Sequence, residues 1–302
     1  MEEYMDTVAF IGLGNMGGGM AANQAKAGRT VRAFDLSADA LSKAEAAGCV
    51  PCPSAAEAVT GADAVLTMLP AGTHVRAVYE RDLLPNAKHG ALLIDCSTID
   101  VDSARAVADL AAAADKGFRS ADAPVSGGTA AADAGTLAFM VGCAEADFAD
   151  VETALAPMSR VTIHAGESGA GQAAKICNNM LLGISMIGTC EAFALAERLG
   201  LSAERFFAIS SQSSGQNWSM TSYCPVEGIG PDSPADRNFE GGFATDMMLK
   251  DLRLAKAAAM ASGSVTPLGG LAEALYAQLS ERGLGGKDFS SIIELLSEGS
   301  VK

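Results

Sequence analysis

The sequence is poor in aromatic residues, in histidine and in positive charge. Of its 302 residues, 5% are aromatic and three are histidines, and the formal net charge is −15. Nucleic acids and anionic membranes bind surfaces rich in lysine and arginine, so we expect neither as a partner. Three dispersed histidines suggest no metal site. No stretch approaches the roughly 20 apolar residues of a membrane span, so we expect no transmembrane helix.

The cysteines form no disulfide framework. There are seven, and an odd number without regular spacing is typical of reduced thiols in a cytosol. The acidic start MEEYMDTVAFIG runs directly into a predicted strand, which favours a cytoplasmic protein without a signal or transit peptide. Cys49 and Cys52 have the CxxC spacing of redox and zinc sites. A second pair is lacking, and the segment falls in a predicted short strand and turn, so ordinary packing is the favoured interpretation.

In the first half of the chain, β-rich runs alternate with alanine-rich helical patterns. The predicted strands are Val8–Ile11, Thr30–Phe34, Ala64–Met68, Leu92–Asp95, Arg119–Ala121, Leu137–Val141 and Val161–His164. The helical patterns between them include Asn15–Ala27, Ser37–Ala46 and Val101–Ala114. This alternation implies βαβ units. We therefore predict an α/β, Rossmann-type domain over residues 1–166, with a doubly wound, mostly parallel sheet.

The second half reads as helical throughout. One apolar pattern runs from about Ala170 to Leu199, and the further helical segments are Ser202–Ser211, Phe243–Ala261, Pro267–Glu281 and Ser290–Ser297. We predict an all-α domain over residues 167–302 that completes the active site, joined to the first domain by the long helix, which would span about 45 Å. The apolar face of that helix suggests a homodimer or homotetramer. Burial within the second domain explains that face nearly as well.

The strongest local motif is GLGNMG, which follows the first predicted strand and opens a helix. Gly12 permits a tight turn, Gly14 lets the backbone approach a pyrophosphate, and Gly17 allows close packing of helix and strand. The N-terminus of the helix adds N–H groups and a partial positive charge for the phosphates. The expected dinucleotide-binding segment is Gly12, Leu13, Gly14, Asn15, Met16 and Gly17.

An acidic residue follows at the end of the second predicted strand. Asp35 lies eighteen residues after Gly17, which matches the carboxylate that hydrogen-bonds a ribose 2′-hydroxyl. That carboxylate would repel a 2′-phosphate, and Arg32 occupies the wrong part of the strand to offset it. The motif therefore predicts NAD rather than NADP as the cofactor.

Other strand ends are expected to border the same cofactor, because ligands bind outside the carboxyl ends of parallel strands. Leu69 and Pro70 follow one such strand, and Thr98 follows the next. Ordinary strand-to-helix turns explain these residues about equally well. Asp95, at the end of the second of these strands, could equally be a turn or cap residue.

A glycine pair marks a second candidate loop. Ser126, Gly127 and Gly128 follow a predicted strand and precede a helical turn. The backbone N–H groups there, with the Ser126 hydroxyl, could hold a carboxylate without any arginine. A flexible glycine turn is the alternative.

Lys175 and Asn179 are polar residues in the apolar run GQAAKICNNMLLGISMIGT. Four residues apart, they share one helix face. The lysine could relay the proton that accompanies hydride transfer at an alcohol, and the asparagine could hold the substrate in register. A lysine that extends its ammonium group to solvent is the alternative. Because an ordinary lysine pKa is near 10.4, either its surroundings lower that pKa or the enzyme works best in alkaline conditions.

The chain resembles the β-hydroxyacid dehydrogenase family in four blocks that cover nearly its whole length: GLGNMGGGMA, DAPVSGGTAAADAGTLAFMVG, GAGQAAKICNNMLLGISMIGT and FATDMMLKDLRLA. Within that family, Asn178-Asn179, the SSGQNWS segment with Trp218 and the C-terminal KDFSSIIELL resemble the 3-hydroxyisobutyrate dehydrogenase branch. The resemblance implies oxidation of 3-hydroxyisobutyrate to methylmalonate semialdehyde with NAD, in valine catabolism.

The resemblance also implies roles for individual residues. Lys175 matches the catalytic lysine and Asn179 the asparagine that positions the substrate, while Ser126, Gly127 and Gly128 match the loop that binds its carboxylate. Lys250 matches a residue that reaches the cofactor, with Asp251 beside it. Trp218 and Phe243 are expected to wall the active site, Trp218 as a substrate-binding residue and Phe243 as a cofactor-binding residue. His74 stands where the branch commonly has an asparagine near the nicotinamide ribose.

Two other interpretations stay open. Another member of the family would act on 3-hydroxypropionate, serine, or tartronate or succinic semialdehyde. A dinucleotide-binding regulator without turnover would be expected to lack the lysine or the Ser-Gly-Gly loop, and this chain has both.

Overall fold

The computed structural model describes residues 5–297, which fall into two compact units. The first unit ends at Lys175 and the second begins at Ile176. This border lies later in the chain than the domain border expected after residue 166. The long helix therefore contributes its first turns to the first unit.

A sheet forms the centre of the first unit. Its strands, as far as the structure describes the chain, are β1 (Thr7–Ile11), β2 (Thr30–Phe34), β3 (Val50–Pro51), β4 (Ala64–Thr67), β5 (Leu92–Asp95), β6 (Arg119–Asp122), β7 (Val125–Ser126), β8 (Leu137–Gly142) and β9 (Ser159–Gly166). The order is β3-β2-β1-β4-β5-β6-β8-β7, with β9 paired to β8. The pairings are parallel except those of β8 with β6 and β7. The predicted mostly parallel, doubly wound sheet is confirmed.

Helices connect these strands. In the first unit they are α1 (Gly17–Lys26), α2 (Ala38–Ala46), α3 (Ala55–Val59), α4 (Gly72–Val78), α5 (Leu84–Asn86), α6 (Val101–Ala113), α7 (Gly128–Ala134) and α8 (Phe148–Leu155). A π-helical turn covers Tyr79–Leu83, and 3₁₀ turns cover Glu145–Asp147 and Ala156–Met158. The predicted helices begin up to two residues early because residues such as Ser37 are N-caps, whose side chain accepts the N–H of Ala40.

Apart from one isolated bridge, the regular secondary structure of the second unit, where the structure describes it, is helical. Its helices are the greater part of α9 (Ala170–Arg198), α10 (Ala203–Ser210), α11 (Trp218–Thr221), α12 (Thr245–Ser262), α13 (Pro267–Leu279) and α14 (Ile292–Ser297). Turns of 3₁₀ helix cover Pro234–Arg237 and Phe289–Ser291, and a π turn covers Ser280–Leu284. The sequence missed α11 and the turn at Pro234–Arg237 because both are short and lie in a segment rich in glycine, serine and proline.

Apolar layers cover both faces of the sheet. Alternate residues of a strand face opposite sides, so Phe10 belongs to one cluster and Ile11 to the other. The two cysteines of the CxxC motif are divided in the same way, Cys49 in the first cluster and Cys52 in the second. Both are buried, and burial raises the pKa of each thiol. These features support ordinary packing for the pair.

Helix α9 corrects one expectation from the sequence. By length and composition alone it is apolar enough to cross a membrane, with 44% of its most apolar window buried. The estimate that no stretch approaches a membrane span was therefore wrong for this helix. Packing explains much of its apolar character, since Met186, Ile187 and Cys190 are buried in the core of the second unit.

Candidate active site

The glycine loop between β1 and α1 is built by close backbone contacts. Gly12 has a φ of 95°, and a Cβ there would lie 2.3 Å from the carbonyl oxygen of Met68. A Cβ on Gly17 would lie 2.0 Å from the carbonyl oxygen of Gly12. Gly14 is exposed, and among the described residues nothing lies within 4 Å of a Cβ placed on it. The loop is thus tight where helix meets strand and open where a pyrophosphate would approach.

The start of α1 fits an anion. Its N-cap residue is Met16, and no side chain caps the N-terminus. Asn15, beside it, is exposed. Free N–H groups and the helix dipole at such a terminus favour phosphate. This chemistry agrees with the space left at Gly14.

Asp35 lies at the end of β2, against the glycine loop. Its Oδ2 accepts the N–H of Leu13 at 2.6 Å, and its Oδ1 accepts the N–H of Ser37 at 2.8 Å. The carboxylate is thereby held where a ribose is expected. Arg32 donates instead to carbonyl oxygens at the end of α3, those of Ala58 at 3.0 Å and Glu57 at 2.6 Å. Because the guanidinium binds carbonyl oxygens at the end of α3, it does not offset the repulsion between Asp35 and a 2′-phosphate. This supports the predicted preference for NAD.

A buried hydrogen-bond network holds the ends of β4 and β5. Asp95 Oδ1 accepts the hydroxyls of Thr67 and Ser97, each at 2.6 Å. The Ser97 hydroxyl oxygen in turn accepts the N–H of Leu69 at 2.8 Å. Burial raises the pKa of Asp95 to about 6. The network fixes the loops that carry Leu69 and Thr98, two of the predicted cofactor residues.

The remaining cofactor candidates in this unit lie near the surface. Pro70 is exposed at the start of the loop into α4, and His74 is exposed within α4. Neither side chain has a contact that tests its predicted role.

The Ser-Gly-Gly loop joins β7 to α7. Gly127 and Gly128 have φ values of 136° and 69°, and Gly127 caps α7 without a side-chain hydrogen bond. Ser126 is half-buried. Asn23 of α1 donates to the carbonyl oxygen of Ala132 in α7 at 2.7 Å. This contact, which the sequence did not predict, sets α7 beside the helix of the glycine loop.

The first turns of α9 are tied to the sheet. Gln172, fully buried, donates from Nε2 to the carbonyl oxygen of Ser97 at 2.7 Å, and its Oε1 accepts the N–H of Ile99 at 3.1 Å. Asp122 accepts the N–H groups of Gly169 at 2.6 Å and Gln172 at 2.7 Å. These bonds explain why the first unit extends into α9. Lys175 follows Gln172 by almost one turn and is 7% exposed.

In the second unit, Asn179 is held by a buried carboxylate. Its Nδ2 donates to Oδ2 of Asp251 at 2.6 Å, and its Oδ1 accepts the Nδ2 of Asn178 at 3.0 Å. Asn179 and Asp251 are each 2% exposed. Lys250 Nζ lies 3.5 Å from Oδ1 of Asp251, within ion-pair range. The sequence predicted all three as site residues but did not predict that Asp251 holds Asn179.

Trp218 and Phe243 belong to one aromatic group. Trp218, 50% exposed, stacks on Tyr223 with ring centroids 4.9 Å apart. The Tyr223 ring lies 5.6 Å from that of Phe289, and the Phe243 ring lies 5.9 Å from Phe289. Asp288 accepts hydrogen bonds from the Tyr223 hydroxyl and the Phe243 N–H. The sequence analysis did not single out Tyr223 or Asp288, and the KDFSS segment was the only signal that could have found Asp288.

Two family models match the chain. A family model described as the NAD-binding domain of 6-phosphogluconate dehydrogenase matches residues 7–166. A second, described as the NAD-binding domain of NADP-dependent 3-hydroxyisobutyrate dehydrogenase, matches residues 169–296.

Individual relatives match nearly end to end. The 3-hydroxyisobutyrate dehydrogenase of Pseudomonas aeruginosa is 48% identical, over 96% of this chain and 98% of that protein. The NAD-dependent L-serine dehydrogenase of the same organism is 47% identical over the same shares. The solved structure of Mycobacterium tuberculosis 3-hydroxyisobutyrate dehydrogenase with L-serine has a TM-score of 0.94 and 47% identity, covering 97% of this chain and 99% of that one.

Proposed function

Since the chain belongs to the β-hydroxyacid dehydrogenase family, in its 3-hydroxyisobutyrate dehydrogenase branch, we propose that it oxidises 3-hydroxyisobutyrate to methylmalonate semialdehyde in valine catabolism. It is an NAD-dependent oxidoreductase. The observation that carries the proposal is the burial of Lys175, at 7% exposure, in a turn of small and apolar residues. Burial of a lysine is energetically unfavourable, and a role in proton transfer accounts for a lysine at this position.

The residues of the first unit fit NAD. The open space at Gly14 and the uncapped start of α1 suit a pyrophosphate, and the Asp35 carboxylate suits a ribose 2′-hydroxyl. Asp35 would also repel a 2′-phosphate, so we propose that NAD is preferred over NADP. Bound NAD supplies the acceptor for the hydride that leaves the carbinol carbon.

The chain's own residues manage the proton and the substrate. In our proposal, the neutral amine of Lys175 accepts the hydroxyl proton as the carbinol C–H bond breaks, and the protonated amine returns it in the reverse reaction. Asn179 has a second amide N–H besides the one given to Asp251, and we assign that N–H to the substrate. The backbone N–H groups of Gly127 and Gly128, with the Ser126 hydroxyl, hold the carboxylate.

L-Serine is the second candidate substrate. A relative 47% identical to this chain is an NAD-dependent L-serine dehydrogenase, and a similarly close solved structure contains L-serine. Serine shares the CH₂OH group and the carboxylate of 3-hydroxyisobutyrate and differs at C2, where an ammonium group replaces a methyl group. The proposed chemistry therefore serves both acids, and only the surroundings of C2 separate them.

Initial rates of NADH formation test the substrate assignment. We expect kcat/KM to be highest for 3-hydroxyisobutyrate with NAD, and lower for L-serine, 3-hydroxypropionate and glycerate or with NADP. Reduction of tartronate and succinic semialdehydes tests the other branches. A higher kcat/KM for L-serine would replace the substrate and leave the mechanism in place.

Lys175→Met tests the mechanism. The substitution keeps the length and the burial of the side chain but removes the amine. We expect kcat to fall by about 10²–10⁴, while the melting temperature shows that the variant remains folded. A variant that keeps its rate would overturn the proposed proton relay.

Location and assembly follow as further parts of the proposal. The seven cysteines are free, which supports a reducing cytoplasm. Exposed leucines on α9, at Leu181 and Leu195, and directly after it, at Leu199, support self-association as a homodimer or homotetramer. Sedimentation velocity would measure the assembly.

A further inference from the structure

Asp288 connects two of the residues predicted to wall the active site. It is fully buried. Its Oδ2 accepts the N–H of Phe243 at 2.7 Å and the hydroxyl of Tyr223 at 2.8 Å. Its Oδ1 accepts the N–H of Ser290 at 2.9 Å and the Ser290 hydroxyl at 2.6 Å. One carboxylate therefore ties the segment before α12 to the segment after α11.

The Tyr223 ring connects Asp288 to Trp218. The ring lies between Trp218, at 4.9 Å and 20° between planes, and Phe289, at 5.6 Å and 27°. With its hydroxyl fixed at Asp288, the Tyr223 ring cannot swing away from Trp218 about its Cα–Cβ bond without losing a hydrogen bond to a charged acceptor. Burial raises the pKa of Tyr223 far above its usual range, with the Asp288 charge as the next cause, so its hydroxyl remains a donor.

The backbone packs tightly around the same atoms. Gly242 has a φ of 73°, and a Cβ there would lie 2.2 Å from Asp288 Oδ2 and 2.5 Å from the Tyr223 hydroxyl oxygen. No side chain fits at this position. The carboxylate, the hydroxyl and the chain before Phe243 thus form one closely fitted unit.

We propose that Asp288 is a positioning residue for substrate recognition: through Tyr223 it sets the plane of Trp218, and directly it sets the backbone at Phe243. This inference rests on the proposed function and on the prediction from the sequence that Trp218 contacts the hydroxy acid. It adds that the orientation of the tryptophan is fixed by a carboxylate about seventy residues further along the chain. Loss of that orientation weakens substrate binding more than it slows the chemical step.

Tyr223→Phe removes one hydroxyl and keeps the stacked ring. We expect the KM for the hydroxy acid to rise roughly tenfold, as for loss of a hydrogen bond to a charged group, with a much smaller change in kcat. Trp218 is the only tryptophan, so its fluorescence anisotropy and acrylamide quenching report directly on its mobility. We expect lower anisotropy and stronger quenching in the variant.

Tyr276→Phe is the matched control. Tyr276 is fully buried, its ring lies 6.5 Å from that of Phe289, and its hydroxyl has no hydrogen-bond partner among the described residues. This variant also loses a buried hydroxyl from the same aromatic group, and we expect neither KM nor the tryptophan signal to change. Asp288→Asn, which replaces one acceptor oxygen by a donor, should raise the KM for the hydroxy acid and for NAD together.

The results separate the inference from the proposed function. If Tyr223→Phe matches Tyr276→Phe in both KM and fluorescence, the inference is overturned, whether or not Asp288→Asn folds. If Trp218→Phe changes the KM but Tyr223→Phe does not, the inference alone fails. If Trp218→Phe leaves the KM for every hydroxy acid unchanged, the proposed substrate contact of Trp218 fails and the inference fails with it.

Discussion

In the first unit, the groups expected to bind the cofactor are largely backbone atoms, whereas in the second unit side chains from distant segments hold one another. Gly12, Gly14 and Gly17 act by lacking a side chain. Asn179 depends on Asp251, seventy-two residues away. The first arrangement is thus sensitive to one added methyl group, and the second to one lost polar atom.

The largest expected effect comes from adding methyl groups to the glycine loop. Gly17→Ala places a Cβ 2.0 Å from the carbonyl oxygen of Gly12, and backbone cannot yield as a flexible side chain does. We expect a loss of about 3 kcal/mol in the free energy of unfolding, measured by urea denaturation, together with loss of NAD binding.

Gly14→Ala is its matched control. A Cβ at Gly14 meets no described residue within 4 Å, so stability should be unchanged. The Kd for NAD, measured by calorimetry, should rise roughly tenfold or more because the methyl group occupies the space where the pyrophosphate approaches. Equal stability losses in the two variants would contradict the division into a tight and an open part of the loop.

In the second unit, removal of a polar atom is expected to reduce activity next most strongly. Asp251→Ala leaves the buried amide of Asn179 without its acceptor, and we expect kcat/KM to fall about 10–100-fold. Asp251→Asn retains an acceptor oxygen and should recover part of the loss. Asn178→Ala removes an exposed partner of the same amide and should have a small effect. An equally severe loss in Asn178→Ala would argue against Asp251 as the residue that holds Asn179.

In the first unit, a substitution of Asp35 is expected to change the preference for NAD over NADP, and this effect should be smaller than that of Asp251→Ala. Asp35→Asn removes the charge that disfavours a 2′-phosphate and weakens the hydrogen bond to a ribose hydroxyl. We expect the ratio of kcat/KM for NAD to that for NADP to fall roughly tenfold, the value of about 1.4 kcal/mol. The measurement is the rate with each cofactor at saturating hydroxy acid. An unchanged ratio would remove Asp35 from the discrimination.

The difference between the local glycine loop of the first unit and the long-range side-chain contacts of the second explains what the sequence could predict. The fold class and the glycine loop could be inferred because strand, helix and turn patterns are local. The anchorage of Asn179 and Trp218 could not, because Asp251 and Asp288 are brought to them only by packing of the helices. The sequence predicts Asp251 as a cofactor residue beside Lys250, and the spacing of the residues gives no indication of its hydrogen bond to Asn179. Helix α11 was missed for a related reason, since four residues carry no periodicity.

Asp95 supplies a predicted effect on stability that depends on pH. Burial raises its pKa from 3.8 to about 6, so between these values the folded protein binds more protons than the unfolded chain. The associated stability is fully present below pH 3.8 and is lost as the pH rises through about 6. Asp95→Asn removes the ionisable carboxyl group and therefore the loss of stability that accompanies its ionisation. We expect the variant to be more stable than the wild type at pH 8, by at most about 3 kcal/mol, in urea unfolding.

The contribution of Asp63 to stability is expected to depend on pH in the opposite direction. Burial raises its pKa, but hydrogen bonds from Lys88 and from the N–H groups of Thr7 and Asp6 outweigh burial and leave it lowered. Its contribution is therefore present above pH 3.8 and lost as the pH falls, so Asp63→Asn should destabilise at pH 8. Asp95 Oδ2 is buried without a hydrogen-bond partner among the described residues, which makes its charge costly. If both variants destabilised the protein equally at pH 8, the Asp95 carboxylate would be supporting the ends of β4 and β5 in its ionised form, and its burial would not be the dominant effect.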